Sequence, residues 1–182
     1  MIAKLTAATA GNYYYEKDPF FNKEENNNEQ NLTIKGETAK ELGIFGDEAE
    51  KEKFENLLDG RSDDNELRYK DKVQSGNERV GYDMVFSAPK SVSHAALVLD
   101  QKDIIEAHKQ AVDVAMKELE KHAGARVKNE EGDREFVKTG NILYAQATHS
   151  TSRPTSDNKP DPSLHTHNII FNTKKKKKGD YR

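Results

Sequence analysis

The run Leu164-His165-Thr166-His167-Asn168-Ile169-Ile170-Phe171, with His149 upstream of it, decides how this chain folds. Side chains at i and i+2 of a strand point the same way, so His165 and His167 share a face while Thr166 and Asn168 turn to the other. The apolar Ile169, Ile170 and Phe171 mark the strand as buried, and burial keeps water from competing for a bound ion. His149 follows a second strand-like run, Gly140 to Thr148, and the Ser-, Pro- and Asp-rich loop after it returns the chain to pair antiparallel. That pairing brings three imidazoles within reach of one metal ion. A His-x-His pair alone is common on ordinary strand faces, and it is His149 that turns the pair into a candidate metal site.

At 182 residues the chain is long enough to bury one core without covalent staples. Its hydrophobic share of 34% is low and its charged share of 34% is high, so long loops are expected, with Lys23 to Asn31 the leading candidate. It has no cysteine, which excludes a disulfide framework and a thiolate zinc site. No apolar run is long enough to span a bilayer, and Met1 to Ala10 has no signal-peptide core, so a cytoplasmic address is expected. The net charge of −3 hides an asymmetry. Residues 1 to 125 carry 17 basic and 25 acidic side chains, whereas residues 126 to 182 carry 12 and 7, so the histidine end is also the basic end. Lys174 to Lys178 contribute to that excess and read as a solvated tip or loop, with phosphate contact as the rival reading.

Along the chain, Leu5 to Tyr15 reads as a short helix or turn of small residues, closed by Asp18-Pro19. Asp47 to Leu58 reads as an amphipathic helix with Phe54, Leu57 and Leu58 on its apolar side, and Arg61 to Asn77 as polar and turn-rich. Val80 to Phe86 reads as a strand. Ser87-Ala88-Pro89 then opens a serine-capped helix to about Leu99. Lys102 to Ala123 is the longest helix, with the stripe Ile104, Ile105, His108, Ala111, Val112, Ala115, Met116 and Leu119. Phe136-Val137, Asn141 to Thr148 and Leu164 to Asn172 are strands, which together predict an α+β domain: an antiparallel sheet with helices on its faces. His94 and His108, near apolar neighbours on helices, and His122, in a last turn, are read as structural.

Three adjacent tyrosines, Tyr13, Tyr14 and Tyr15, lie near the start of the chain. A phenol has a pKa near 10, so a nucleophilic tyrosine needs a base or a nearby positive charge. A divalent ion supplies that charge. Asp83 can take the phenol proton or orient a histidine, and otherwise reads as a surface or cap residue. Metal, tyrosine and carboxylate together suit phosphodiester transesterification better than hydrolysis.

These residues also resemble the conjugative relaxases of the TrwC/TraI (MobF) type, members of the HUH endonucleases. Ala10-Gly11-Asn12-Tyr13-Tyr14 is similar to the nucleophile motif of that family, and Gly81 to Ser93, reading GYDMVFSAPKSVS, to its main signature. Ala107 to Val112 is similar to the helix that follows, and His149 to Arg153 and Pro160 to His167 to the two halves of its histidine triad. The resemblance implies an antiparallel palm beside a basic cleft for single-stranded DNA. It implies nicking at an origin of transfer, with Tyr13 attacking to leave a 5′-phosphotyrosine, Tyr14 beside it, Asp83 as base, and His149, His165 and His167 as ligands. Magnesium or manganese is expected from the family, while three imidazoles by themselves favour zinc, nickel or cobalt. Arg153 is the first candidate for a DNA contact and Lys90 the second. Accessory nicking proteins, a coupling protein and a monomeric bacterial enzyme are expected.

The chain departs from the family pattern in three places. Phe20-Phe21 stands where a second tyrosine pair often falls, so tyrosine attack from that position is not available. The loop between His149 and His165 is longer than usual, with Arg153 to Lys159 carrying the extra residues. The sequence ends soon after the last histidine strand, so residues 1–182 are expected to be the N-terminal, catalytic portion of a longer relaxase or relaxase-helicase. Rival readings are a rolling-circle replication initiator of the same fold, a non-catalytic single-stranded DNA-binding fragment, and a hydrolase or cupin-like enzyme built on His-x-His. The last leaves the tyrosines unexplained.

Overall fold

Residues 162 to 171 supply a strand buried on both faces, and such a strand belongs in the middle of a sheet. The computed structural model describes residues 1–9, 32–61, 79–128, 132–152 and 160–172. Its elements are β1 (Ile2–Thr9), β2 (Thr33–Lys35), α1 (Glu37–Glu41), α2 (Lys51–Leu58), β3 (Arg79–Ser87), α3 (Lys90–Leu97), α4 (Lys102–Lys121), β4 (Gly124–Lys128), β5 (Arg134–Lys138), β6 (Tyr144–Thr151) and β7 (Pro162–Phe171). Five strands form one antiparallel sheet in the order β1-β3-β7-β6-β2, with β7 at its centre. The fold is α+β, as the sequence pattern predicts.

Strand alternation sorts the core into two layers. On the face that carries the histidines, Ile169 and Phe171 of β7 join Ala145 and Ala147 of β6 and Ile34 of β2, and α2 covers them with Phe54 and Leu57. Phe54 meets Phe171 edge to face at 5.7 Å. On the opposite face, Phe86, Tyr144 and the partly buried Met84 and Ile170 pack against Val112 and Met116 of α4. The stripe read from the sequence of α4 is therefore its buried face, and its His108 is buried with it. Strands β3 and β7 run unusually close at Gly81, where a Cβ would stand 2.3 Å from the Ile170 carbonyl oxygen, so only glycine fits.

One buried carboxylate ties α4 to the sheet. Glu120 Oε1 accepts the backbone N–H groups of Glu37 and Ile142, each at 2.8 Å, which satisfies a donor at the N-terminus of α1 and another in the segment entering β6. Strands β4 and β5 form a separate two-stranded ribbon whose second strand is exposed throughout.

Several local expectations change. Leu5 to Thr9 is strand, not helix or turn: Ile2 to Thr9 pairs with β3, and cross-strand hydrogen bonding overrides a run of small residues with no period of its own. Helix α2 begins at Lys51 rather than Asp47, because the backbone of Asp47 and Glu48 is bonded to β2 instead. Ser87 does not cap α3. It is the last residue of β3, and Pro89 occupies the cap position with no side-chain cap bond. His94 is exposed rather than packed among apolar neighbours, and His122 is exposed beside Glu118. Lys23 to Asn31, nearly all of Arg61 to Asn77, and Lys174 to Lys178 lie outside the described residues.

Two stability predictions follow from these contacts. Glu120→Ala strands two buried donors and should cost roughly 2–3 kcal/mol in urea unfolding, while Glu120→Gln, which keeps a carbonyl acceptor, should cost less than half of that. Burial lowers the His108 pKa from its ordinary value of 6.5. Below 6.5 the unfolded chain therefore binds a proton that folded His108 resists, and stability declines as pH falls through that value. His108→Gln should make this decline shallower when unfolding is followed in a chelator between about pH 7.5 and 5.5.

Candidate metal centre

The register of three strands assembles the site. His149 of β6 stands directly opposite His165 of β7, and His167 opposite Ala147, so all three imidazoles rise from one face. The ring centres are 5.3 Å apart for His149 and His165, 5.4 Å for His149 and His167, and 5.2 Å for His165 and His167. All three residues are buried. With nitrogen about 2.1 Å from an ion and the ring centre about 1.1 Å further, tetrahedral ligands place ring centres roughly 5.2 Å apart and right-angled ones roughly 4.5 Å. Among the described residues no three such side chains stand as a ready-made metal site, but the ring spacings of these histidines match what one shared tetrahedral ion requires.

Second contacts orient two of these rings. His167 Nδ1 lies 2.8 Å and 3.1 Å from the two carboxylate oxygens of Asp83, and donates its proton there. His165 Nδ1 donates to the Ser163 carbonyl at 2.9 Å. In both rings Nε2 is then the nitrogen that would face a metal, with the Asp83 carboxylate fixing the orientation of the His167 ring. Asp83 reaches His167 because it faces Ile169, two residues along β7, on the same side of the sheet.

The Gly81 to Ser93 segment fastens the start of β7 beneath these ligands. Ala88 N–H donates to the Leu164 carbonyl at 2.9 Å, and the buried Ser93 Oγ accepts from Leu164 N–H at 3.0 Å. Lys90 Nζ bonds the Pro162 carbonyl at 3.1 Å and pairs with Asp161 at 3.0 Å. Sequence reasoning missed Ser93 and Ser163 as parts of the site. Ser93 lies inside the quoted signature but carries no metal-ligand chemistry, and Ser163 acts through its backbone, which leaves no residue-type signal. Of the expected residues, Asp83, His149, His165 and His167 are brought together, Lys90 is held instead on Asp161 and Pro162 at the start of β7, and Tyr13, Tyr14 and Arg153 lie outside the described residues.

A TrwC relaxase family model matches residues 3–182. The chain belongs to the TrwC relaxase family. The multifunctional conjugation protein TraI of Escherichia coli is 39% identical over 167 residues, covering 92% of this chain and 9% of that protein. The conjugative relaxase TrwC in a metal-free complex with OriT DNA matches with a TM-score of 0.80 at 31% identity, over the whole of this chain and 59% of that one. The metal-bound TrwC–OriT DNA structure matches at 0.77 and 32% identity, over 60% of its chain. This chain thus spans about three-fifths of the solved TrwC relaxase chains and a small part of TraI. The family reading made from the Tyr13, Gly81 and histidine motifs is borne out, and the antiparallel sheet with its helices matches the TrwC fold.

His167→Ala should abolish tight divalent-metal binding in titration calorimetry, and Asp83→Asn, which keeps the shape but removes the charge behind His167, should weaken it about 10- to 100-fold. Equal affinity in Asp83→Asn would remove the carboxylate from the site's description.

Proposed function

We propose that this chain is the catalytic part of a conjugative relaxase, a metal-dependent endonuclease and strand transferase that nicks one DNA strand at an origin of transfer. The observation that carries the reading is the cluster of His149, His165 and His167 on one sheet face with Asp83 bonded to His167. Membership of a family whose TrwC member has been solved on OriT DNA, with and without metal, supports it.

Tyr13 is the proposed nucleophile. Its phenol oxygen bonds to the scissile phosphorus, the bond from phosphorus to O3′ breaks, and one strand leaves with a 3′ hydroxyl while the 5′ phosphate stays on the tyrosine. Tyr14 is the neighbouring substitute. His149, His165 and His167 hold a divalent ion which, when bound, polarises a phosphoryl oxygen and offsets the charge that builds there. Asp83 keeps the His167 ring turned to the ion and is the proposed acceptor of the phenol proton. Arg153 and Lys90 are the proposed DNA contacts; the Lys90 side chain is 54% exposed at the head of α3, beside the start of β7. Magnesium or manganese is the proposed ion, with zinc, nickel and cobalt the alternatives that imidazole ligands favour. The proposed setting is the bacterial cytoplasm, as a monomer, with single-stranded origin DNA as substrate and accessory nicking and coupling proteins as partners. Among the described residues no helix is long and apolar enough to cross a membrane.

Fluorescent oligonucleotides spanning the cognate origin, incubated with the protein and manganese, should give an SDS-stable protein–DNA adduct that is retained in Tyr14→Phe and lost in Tyr13→Phe. DNA binding without an adduct under any divalent metal would make the chain a binding module and overturn the catalytic reading.

A further inference from the structure

Behind the three histidines, on the opposite face of the same two strands, lies a ladder of polar side chains where apolar packing would be expected. Thr166, between His165 and His167, is buried, and its Oγ1 lies 3.0 Å from Thr148 Oγ1 directly across the ladder and 3.0 Å from His108 Nε2 on α4. One rung further, Gln146 Nε2 donates to Asn168 Oδ1 at 2.8 Å, and the fully buried Asn168 donates from Nδ2 to the Met84 carbonyl of β3 at 3.1 Å. Gln146 also donates to Asp113 of α4 at 3.1 Å, and Asp113 in turn pairs with Lys35 of β2 at 2.8 Å. Four strands and α4 are joined through these side chains. The α4 side of the ladder borders a polar cleft of about 180 Å3 lined by Lys35, Asp113, Gln146 and Thr148 among others.

Apolar patterning alone does not protect the metal centre. A one-residue slip of β6 against β7 would turn every side chain over, and the core forbids that. A two-residue slip keeps each side chain on its face, and Ala145 and Ala147 are small enough to accept new neighbours on the histidine side. In the direction of the start of β7 it would nevertheless set His149 opposite Ser163 instead of His165 and dissolve the cluster. The polar rungs resist this slip, because it would also set Thr148 against Leu164 and the buried Asn168 against Tyr144, leaving hydrogen-bonding groups stranded in the core.

We propose that Thr166, with Thr148 and His108 as its partners, is a positioning residue for the metal centre, and that the Thr148–Thr166 and Gln146–Asn168 rungs set the register that brings His149 to His165 and His167. The inference rests on the metal reading proposed above. It assigns to the threonine between His165 and His167 a task that neither metal ligation nor DNA contact describes.

The test uses Co2+ as probe, followed by titration and by its visible absorption spectrum, on the full chain. Thr166→Val keeps volume and strand preference but removes the hydroxyl, and should weaken Co2+ binding about 10-fold, the lower end for changes made one contact away from a ligand. Its spectrum should also differ from that of the parent protein. Thr166→Ser should restore both affinity and spectrum. Thr148→Val provides a second route to the same rung should Thr166→Val fail to fold, and Leu57→Ala, a core change under α2, should lower stability without moving the spectrum. If the parent protein binds Co2+ and Thr166→Val and Thr148→Val bind it equally with the same spectrum, the positioning role is overturned alone. If the parent protein binds no Co2+, the metal reading falls and this inference falls with it.

Discussion

The pairing of β6 with β7 is the constraint on which the rest of the site depends. A metal centre made of side chains from two strands exists only while those strands keep one alignment, because ligands on a strand are spaced by a fixed two-residue repeat and cannot adjust singly. Here His149 and His165 face one another across the ladder, His167 stands one rung on, and Asp83 reaches in from the third strand. The centre is thus a property of three strands in register. No single segment carries it.

The sheet meets two demands with its two faces. Toward α2 and the histidines it offers small or branched residues and a buried cluster of imidazoles. Toward α4 it offers an apolar core at one end and hydrogen-bonded threonine and amide pairs directly behind the histidines. Buried polar groups contribute little net stability when satisfied, but they are costly when misaligned, which makes them better at discriminating between registers than methyl groups are. The long helix α4 serves both roles: Val112 and Met116 pack, His108 and Asp113 bond to the ladder, and Glu120 closes the far end on backbone donors.

How far the molecule could be read from sequence follows the same physics. The histidine strand was legible because period-two placement is strict and the apolar run after it marks burial; the partner strand was legible because a turn-rich loop separates two strand-like runs. Helix α4 was legible from a stripe sustained over about four turns. Strand β1 was not, since Ala, Thr and Leu in that run suit several conformations and the choice is made by the edge of β3. The three-residue β2 leaves no pattern to detect, and the five residues of β4 follow close on the end of α4 with no alternation long enough to read. Ser87 matched the composition of a helix cap but had already been claimed by the sheet. Ser163 was invisible for a different reason: it contributes a carbonyl, which every residue possesses.

The account stands or falls on whether those three imidazoles hold one ion in the predicted tautomers. Anomalous diffraction from crystals of the protein grown with Mn2+ tests this directly. The account predicts one strong peak about 2.1 to 2.3 Å from Nε2 of His165 and His167 and a ring nitrogen of His149, with Asp83 still bonded to Nδ1 of His167. A peak bound elsewhere, or His165 and His167 ligating through Nδ1, would contradict it.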